Sequence, residues 1–502
     1  MRRVGIDLAL RSDHQAVVVE DGVRIGKSFP VKRTKAGVDE LERRATAGAD
    51  GPCEFTMEPT GFVWLPLAAE LERRGHRIYL PKPQKTNALR KFYSVYAKTD
   101  RIDAAALALV RHVDPEGVYE LRVPTATESS LRLEVKHRAQ LVGEAAESKR
   151  RIQSWLVLGN PHLSDALGGE FDSRLGRALL RECVNPFEVI TKGQGRLRKL
   201  WCRHVRGAVD QERFDAIWRA CETTAEMYDA LRTAGKLPFA YQDLRDLVHM
   251  ELDHIEFIEG QVARVEAKIT SLYRQLDPER TLEREVPGVG EAIAPTIEAL
   301  VGDVERFPNA KSFVSYLGLV PRTRQTGGRQ GKSRQRLTKG GPNLLKQYMF
   351  LAAETARRQD PELATTYERA TKNGKHHFSA VIIVAHKLAR KIYAVLKLRA
   401  AARRARAEGQ NADQIPVVSY QIRHPQDGTP MSRQEARAYV TERFPSKAAL
   451  AAAKKRAART TSQKTGSSSD ATKGTLGGPP TSVAQMLASA GGVDNPVDNH
   501  MA

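Results

Sequence analysis

The order of the predicted secondary-structure elements near the N-terminus constrains the fold more than any other feature of the sequence. Three short apolar segments come first, at residues 4–8, 16–19 and 25–31. Asp21-Gly22 lies between the second and third and is typical of a tight hairpin turn. The chain then alternates helical and strand patterns, at residues 37–48, 55–58, 62–75, 77–80 and from 100 onwards. We therefore predict an α/β domain that begins with an antiparallel meander.

Acidic residues end two of these strands. Three antiparallel strands followed by helix, strand, helix, strand and helix is the order of a ribonuclease-H-like domain. In that fold the first and fourth strands are neighbours, so Asp7 and Glu58 would meet at their ends. Asp100 and Asp103 are three residues apart and project from the same side of the first turn of the next helix. We expect that helix to pack across the two strands and bring all four carboxylates together.

Four carboxylates in one pocket would hold hard divalent cations. Carboxylate oxygens are the ligands that Mg²⁺ prefers, and two ions about 4 Å apart clamp the attacking and leaving oxygens of a phosphodiester. An isolated pair of acids at a helix start has a simpler explanation, because it suits the positive end of the helix dipole. The strand-end acids favour the metal site, and we expect Mg²⁺ or a similar divalent cation as cofactor.

The contexts of these acids, GID, MEPTG and KTDRIDA, resemble a known family. They are similar to the Asp-Glu-Asp-Asp set of the RuvC-like domain in insertion-sequence family 110 transposases, which resemble the Piv invertase and include bridge-RNA-guided recombinases. The resemblance covers residues 1–155 and roughly 243–400. It implies that Asp7, Glu58, Asp100 and Asp103 are catalytic metal ligands.

The same resemblance implies how the enzyme would work. The four acids and a C-terminal hydroxyl would form a composite site between protomers of a homo-oligomer, a dimer or tetramer. The hydroxyl would attack DNA and form a covalent phosphodiester. A structured non-coding bridge RNA would specify the double-stranded donor and target DNA.

Bulk composition agrees with a nucleic-acid partner. The 502 residues carry a formal net charge of +21, which points to a polyanion. A basic protein of the membrane surface is the competing interpretation, but the sequence has no long apolar run, no signal peptide after Met1-Arg2-Arg3 and no lipidation motif. We expect a soluble cytoplasmic, nucleoid-associated bacterial protein. The four cysteines lack C-x-x-C spacing, which disfavours a zinc site.

The middle of the chain is predicted to be helical. Apolar residues recur at steps of three and four over residues 244–276, which predicts a coiled-coil seam that closes either on the helix at 128–157 or on another protomer. The region between is interpreted as a helical insertion. Its Trp201, Arg203, His204 and Arg206 form a basic-aromatic group for which half-buried packing is favoured over nucleic-acid contact.

The C-terminal half contains two candidate phosphate-binding segments. In Val286-Pro287-Gly288-Val289-Gly290, the two glycines would let backbone N–H groups approach a phosphate, unless the segment is a plain turn. A glycine-rich basic loop follows, with no acid among its cations Arg322, Arg324, Arg329, Lys332, Arg334, Arg336 and Lys339. Such a loop is suited to lie along phosphates. GLVP before it and TKGGPNLL after it resemble the family's transposase domain.

The predicted organisation is α/β followed by α, in seven segments. They are the RuvC-like domain at 1–125, the first coiled-coil arm at 126–157, the insertion at 158–242, the second arm at 243–280, the mainly α-helical transposase domain at 281–400, a basic helical extension at 401–460 and a disordered tail at 461–502. The tail prediction rests on its Ser, Thr, Gly and Pro content.

The candidate nucleophile differs in residue type from the one that the family uses. The family's serine stands in a Ser-Gly step shortly after GL-x-P, and the matching residue here is Thr326. Threonine keeps the hydroxyl, but its methyl group restricts χ1 and crowds the attack. We favour Thr326 as the nucleophile because of its position relative to Gly-Leu-x-Pro. Ser333 on the same loop is the alternative nucleophile. A third possibility is that the protein binds DNA without completing recombination.

Of three candidate functions, the sequence favours the first. A DNA transposase or site-specific recombinase accounts for both the acids and the basic loop. A metal-dependent Holliday-junction or flap nuclease, in which water attacks, needs the same four acids. A non-catalytic nucleic-acid-binding protein would not require them. The sequence names neither the target site nor the guide.

Overall fold

A six-stranded mixed sheet forms the N-terminal part of the chain. In this computed structural model the described residues are 1–49, 51–58, 61–93, 99–115, 118–169, 171–322, 337–338 and 340–445. Residues 1–437 form one compact unit. The second unit begins at residue 438 and is described only as far as residue 445, at the end of the last helix.

The sheet has the strand order β3-β2-β1-β4-β5-β6. Its strands are β1 (Arg2–Asp7), β2 (His14–Glu20), β3 (Val23–Val31), β4 (Glu54–Met57), β5 (Arg77–Pro81) and β6 (Val118–Glu120). The first three form the predicted antiparallel meander, and β1 lies parallel to β4. The α/β prediction for this domain is confirmed. Strand β6, antiparallel to β5 at the sheet edge, was not predicted because it has only three residues.

Helices cover both faces of the sheet. They are α1 (Lys35–Thr46), α2 (Trp64–Arg73) and α4 (Asp100–Val113), and a further helix, α3 (Pro83–Tyr93), packs against α4. One sheet face packs with α1 and α2 into an apolar core that includes Ile6, Phe55 and Leu71. The other face packs Val17 and Val19 against α4. Helix α3 was not predicted, because its sequence is polar and has no apolar stripe.

Two long helices pack along each other within the chain. Helix α5 (Ala126–Gly159) begins at a capping box formed by Thr125 and Glu128, and α10 (Tyr241–Leu276) carries the predicted seam. The ion pair of Arg151 with Glu251 joins them at 2.6 Å, and Lys268 pairs with Glu134. The seam therefore faces α5 of the same chain. A coiled-coil supercoil stays a prediction.

Four helices form the region between α5 and α10. They are α6 (Pro161–Leu167), α7 (Arg174–Glu182), α8 (Pro186–His204) and α9 (Gln211–Thr233). They enclose an apolar core with the facing parts of α5 and α10, in which Trp201 is 3% exposed. Asn160 satisfies its buried side chain by donating to the Cys183 carbonyl at 2.9 Å and accepting from Thr224. The whole segment is thus a helical subdomain.

The C-terminal part is helical, as predicted. Its helices are α11 (Thr281–Glu285), α12 (Ile293–Val301), α13 (Ala310–Tyr316), α14 (Asn343–Ala356), α15 (Pro361–Lys372), α16 (His377–Ala407) and α17 (Arg433–Arg443). Helix α16 ends at Ala407, and residues 415–432 have no helix, so the predicted basic extension is helical only in part. The predicted disordered tail lies outside the described residues. No described helix is both long and apolar enough to cross a membrane.

A buried ion-pair network joins α10, α12 and α16. Arg399 of α16 donates to the Asp277 carboxylate at 3.0 Å and to the Glu298 carboxylate at 2.7 Å. Asp277 is 2% exposed and also accepts from the Thr281 N–H, which begins α11. The end of the long helix α10 is therefore attached rigidly to the C-terminal helices.

Candidate active site

Asp7 and Glu58 stand at the ends of two adjacent parallel strands. The register pairs Gly5 with Thr56 and Ile6 with Met57, so Asp7 and Glu58 occupy the next step. Residues two apart on a strand project to the same face. Asp7 therefore shares a face with Gly5, and this is the face that α4 covers.

Helix α4 touches β1 backbone to backbone at Gly5. A Cβ atom there would lie 2.0 Å from the carbonyl oxygen of Ala104 and 2.3 Å from the amide nitrogen of Ala108. A glycine is required, because any side chain would collide with the helix backbone. The crossing point is one turn below the first turn of α4, so the two elements meet directly beside the acids.

The direction of α4 puts its acidic first turn at the same end of the sheet as Asp7 and Glu58. Arg111, near the end of α4, pairs with Glu54 at the beginning of β4 and lies 3.7 Å from the centre of the Tyr79 ring. His112 approaches Gly22 in the β2–β3 turn. Since the C-terminal end of α4 lies at the beginning of β1 and β4, its N-terminal end lies at their ends.

The first turn of α4 is held by a cap and by an arginine. Thr99 accepts a hydrogen bond from the Ile102 N–H at 3.4 Å through its side chain. Asp100 is exposed, whereas the Asp103 side chain is 16% exposed and lies 3.5 Å from the guanidinium of Arg90 on α3. The positive charge of Arg90 thus partly balances the Asp103 carboxylate.

The donor set suits a hard divalent cation. Asp7, Glu58, Asp100 and Asp103 offer only carboxylate oxygens, and Thr56, on the same face as Gly5, has a buried hydroxyl with no hydrogen-bond partner among the described residues. Over the described ranges, no three or more His, Cys, Asp or Glu side chains are grouped closely enough to hold a metal ion. The shared-ion arrangement of the four acids therefore stays a prediction.

A buried histidine supports the turn that follows Asp7. His14 is 4% exposed, and its Nδ1 atom accepts a hydrogen bond from the Ala9 N–H at 3.1 Å. Burial lowers the pKa of His14, and the positive charge of Arg33 lowers it further. The ring is therefore kept neutral, which the accepted hydrogen bond requires.

Two glycines close the base of the basic loop. Pro321 and Leu337 form an antiparallel bridge, and the Thr338 N–H donates to the Val320 carbonyl at 3.0 Å. Gly318 and Gly341 both have positive φ, at 70° and 77°, and each lies against backbone from the other side of the loop. The family-like segments at the two ends of the loop are therefore the two halves of one stem.

Most of the predicted nucleic-acid contacts lie on that loop. Arg322 is described and exposed. The remaining candidates lie outside the described residues: Arg324, Thr326, Arg329, Lys332, Ser333, Arg334, Arg336 and Lys339. Gly290 is exposed, but at Gly288 a Cβ would lie 2.3 Å from the Ala352 carbonyl oxygen of α14. Packing against α14 is thus sufficient to require glycine at 288, and the phosphate contact stays a prediction.

Helix α5 contacts both parts of the site. Lys136 of α5 lies 5.0 Å from the centre of the ring of Phe62, a residue that follows Glu58 by four positions. Burial lowers the pKa of Lys136, and the positive charge of Arg132 lowers it further. Two residues further along α5, Arg138 donates to the Tyr348 hydroxyl of α14 at 2.7 Å. The acid-bearing sheet and the helix that follows the loop stem therefore share one rigid support.

Three residues that act across elements have no signature in the local sequence pattern. Gly5, Arg90 and Lys136 owe their roles to contacts with residues far away in the chain, and no local periodicity marks them. The one available signal was the glycine in GID, since a glycine inside a short buried strand indicates a close backbone approach.

Two family profiles match the two stretches of the chain that carry the candidate site. A DEDD-type profile of the IS110 group, described as Transposase, matches residues 4–161, and a profile described as Transposase IS116/IS110/IS902 family matches residues 281–368. The first contains all four acids and the second contains the loop and its stem. The segment between the two profiles includes α7 to α9 and all of α6 except its first residue.

Three relatives are similar over longer stretches. The "Insertion element IS110 uncharacterized 43.6 kDa protein" of Streptomyces coelicolor is 27% identical over 68% of this chain and 80% of its own length. The "Probable family 20 transposase" of Pseudomonas aeruginosa is 26% identical over 56% of this chain and 64% of its own. The "Insertion element IS116 uncharacterized 44.8 kDa protein" of Streptomyces clavuligerus is 26% identical over 78% and 94%.

Proposed function

The chain belongs to the IS110 family of transposases, and from this premise we propose that it cuts and rejoins DNA with two groups of residues. Asp7, Glu58, Asp100 and Asp103 bind divalent metal, and a hydroxyl of the basic loop is the nucleophile. The observation that carries the proposal is the backbone contact at Gly5, which holds the first turn of α4 at the end of the sheet where Asp7 and Glu58 stand.

The N-terminal domain is, in this proposal, ribonuclease-H-like and of the RuvC type. The antiparallel meander of β1 to β3, followed by the parallel strands β4 and β5, supports this assignment. So does α4, which covers the sheet face that Gly5 and Asp7 share. In such an arrangement carboxylates from a strand end and from a helix face one another across a narrow gap.

The acids and Arg90 have distinct roles. A bound divalent cation, Mg²⁺ in this proposal, supplies Lewis acidity to the scissile phosphate. The four carboxylates hold that charge in place. Arg90 balances Asp103 in the protein without metal. In this proposal its guanidinium turns towards a phosphate oxygen when DNA binds.

The covalent step is a transesterification. The Thr326 oxygen bonds to phosphorus as the phosphorus–oxygen bond to one deoxyribose breaks, and the released sugar hydroxyl takes the proton. Attack of a sugar hydroxyl on the protein–DNA bond reverses the step and joins a new strand. Thr326 is favoured over Ser333 because of its sequence distance from the Gly-Leu-x-Pro anchor. Gly318 of that anchor packs tightly against the other side of the loop stem.

Two partners follow from the family resemblance. A structured guide RNA specifies the donor and target DNA, and a dimer or tetramer of this chain forms the composite site. The net charge of +21 supports binding to large polyanions of both kinds.

The test traps the covalent intermediate. The protein is incubated with its bridge RNA, donor DNA and Mg²⁺, and the adduct is mapped by mass spectrometry. D103N should abolish cleavage with folding intact. D21N, a matched loss of an exposed carboxylate in the β2–β3 turn, should leave cleavage unchanged.

Variants of the loop separate the nucleophiles. T326V should abolish the adduct, T326S should keep or raise the yield, and S333A should change little. Cleavage by T326V without any adduct would instead identify a nuclease in which water attacks. An adduct on Ser333 would contradict the assignment of Thr326.

A further inference from the structure

The second half of α8 presents a row of cations to solvent. Helix α8 is broken at Gly193, whose φ of 76° and ψ of 162° are not helical. Beyond the break, Arg196, Lys199 and Arg203 are exposed at helical steps of three and four, and Arg206 is exposed just past the helix end. These four side chains are called the α8 basic face below.

Packing fixes the direction of this face. Leu197 and Trp201 lie one turn apart on α8 and are 4% and 3% exposed in the core of the helical subdomain. Arg213 of α9 lies 5.8 Å from the centre of the Trp201 ring and covers it. This packing fixes the rotation of α8 about its own axis, so the opposite, basic side of the helix points to solvent.

The α8 basic face has no internal counter-charge. Residues 189–209 contain no Asp or Glu. Within the part of the chain that the structure describes, none of the four cations forms an ion pair, whereas neighbouring arginines do: Arg177 with Glu259, Arg181 with Asp253 and Arg245 with Glu188. Because like charges held close together repel, the row raises the free energy of the folded protein unless an anion binds.

Helix stability does not account for the row. Cations in the last turn interact favourably with the helix dipole, and this covers Arg203. Arg196 and Lys199 lie one to two turns further from the C-terminal end of the helix, where the dipole effect has faded. Their position therefore calls for an external partner.

We propose that the α8 basic face binds the phosphate backbone of duplex DNA. At 1.5 Å per residue, Arg196 and Arg203 stand about 10 Å apart along the helix, which spans more than one phosphate of a strand. The aromatic residue of this segment, Trp201, is buried, so the face has no platform for stacking unpaired bases. Phosphates of a duplex, read by charge alone, fit it best.

The proposal rests on the proposed function only in taking DNA as the substrate. It adds a contact surface in a segment that neither family profile covers. The α8 basic face is far from the basic loop in the sequence. In this proposal it holds a second duplex region, such as the arm that flanks the crossover, while the loop engages the reacting strand.

The salt dependence of DNA binding tests the proposal. The probe is a fluorescent 30-base-pair duplex, titrated with the full-length protein at several NaCl concentrations. The test variant replaces the α8 basic face by glutamine: R196Q, K199Q, R203Q and R206Q. The control removes the same charge at exposed positions on α5, α9, α10 and the turn after α9: R150Q, R219Q, K236Q and R264Q.

Counterion release predicts the size of the effect. Each phosphate contact contributes about 0.9 to the slope of log K against log salt, so losing four should reduce the slope by about 3 to 4. The control should change the slope by less than about 1. Circular dichroism should show equal helix content in both variants, because all substituted side chains are exposed.

The outcomes separate this proposal from the proposed function. A test variant with the wild-type slope, or a control with an equal loss, would overturn the α8 assignment alone. A loss seen with duplex RNA of the same length but not with DNA would overturn DNA as the partner. Wild-type protein that fails to bind duplex DNA at all, even with its bridge RNA present, would contradict the proposed function as well.

Discussion

The substitution G5A tests whether the backbone contact between β1 and α4 sets the geometry of the active site. The new Cβ would start 2.0 Å from the Ala104 carbonyl oxygen, whereas ordinary contact begins at 3.4 Å. Helix and strand must therefore separate locally by about 1.4 Å. Neither neighbour is a flexible side-chain end, because both contacting atoms belong to the helix backbone.

The expected effect has two parts. Forcing one extra methyl group into a packed interface costs about 1–3 kcal/mol of unfolding free energy. The same movement displaces Asp103, which directly precedes Ala104, relative to Asp7 by more than 1 Å. Misplacement of a reacting group by about 1 Å costs on the order of 10²-fold in rate. We expect G5A to lower strand cleavage by about that factor at a temperature where it stays folded.

Three measurements on one preparation separate these effects. Urea unfolding gives the stability, Mn²⁺ binding followed by electron paramagnetic resonance reports the acid site without catalysis, and cleavage of labelled DNA gives the rate. The matched control is G143A on α5, where an added Cβ meets nothing within 4 Å. Alanine should stabilise that helix by about 0.5–1 kcal/mol, with the rate unchanged.

The result that refutes the reasoning is a G5A protein with wild-type stability, Mn²⁺ affinity and cleavage. It would mean that α4 does not cross β1 at Gly5. The double variant G5A/A104G sharpens the test, because the clash is with backbone atoms of residue 104. Removing the Ala104 methyl group should give no rescue, and full rescue would show that a side chain makes the contact.

Other contacts make further predictions. Burial lowers the pKa of His14 below its ordinary 6.5, so between the folded and unfolded pKa values the unfolded chain binds more protons than the folded protein. The free energy of unfolding should therefore fall as the pH drops below about 6.5. H14Q should reduce this pH dependence in thermal melts. R399M should cost about 3–5 kcal/mol in urea unfolding because it removes the buried cation that pairs with both Asp277 and Glu298. The exposed R403M should cost under about 1 kcal/mol, and equal losses would contradict the role of burial. R90Q should raise Mn²⁺ affinity about fivefold, because it removes a partly exposed positive charge that competes for Asp103 and is worth about 1 kcal/mol. An unchanged affinity would show that Arg90 does not compete with the metal ion.

Local patterns carried much of the N-terminal prediction. Alternation and turn chemistry located β1 to β5, and the order of these elements was enough to make β1 and β4 neighbours, as observed. The helical pattern from residue 100 onwards located α4, which begins at Asp100 with Thr99 as its cap. These features depend on interactions between residues close in sequence, so they can be read from the chain itself. Strand β6 and helix α3 escaped because one is short and the other lacks an apolar stripe.

The periodicity of α10 shows where sequence reasoning stops. The spacing of Leu252, Ile255 and Ile269 indicated a buried seam but not its partner, because α5 and a second chain offer the same apolar surface to such a seam. The structure chooses α5, with matched ion pairs such as Arg151 with Glu251. Choice among partners depends on side-chain complementarity between distant segments, which has no local signature.

The sequence alone determined which residues are available for chemistry: four carboxylates on the right elements, a basic loop after Gly-Leu-x-Pro and a surplus of positive charge. Only the tertiary structure decided how they are arranged. It brought α4 onto β1 at Gly5, set Arg90 against Asp103 and turned the cations of α8 outward over a buried Trp201. The physical reason is that residue type and periodicity are local properties, whereas the approach of two backbones and the direction of a helix face depend on how separate elements pack.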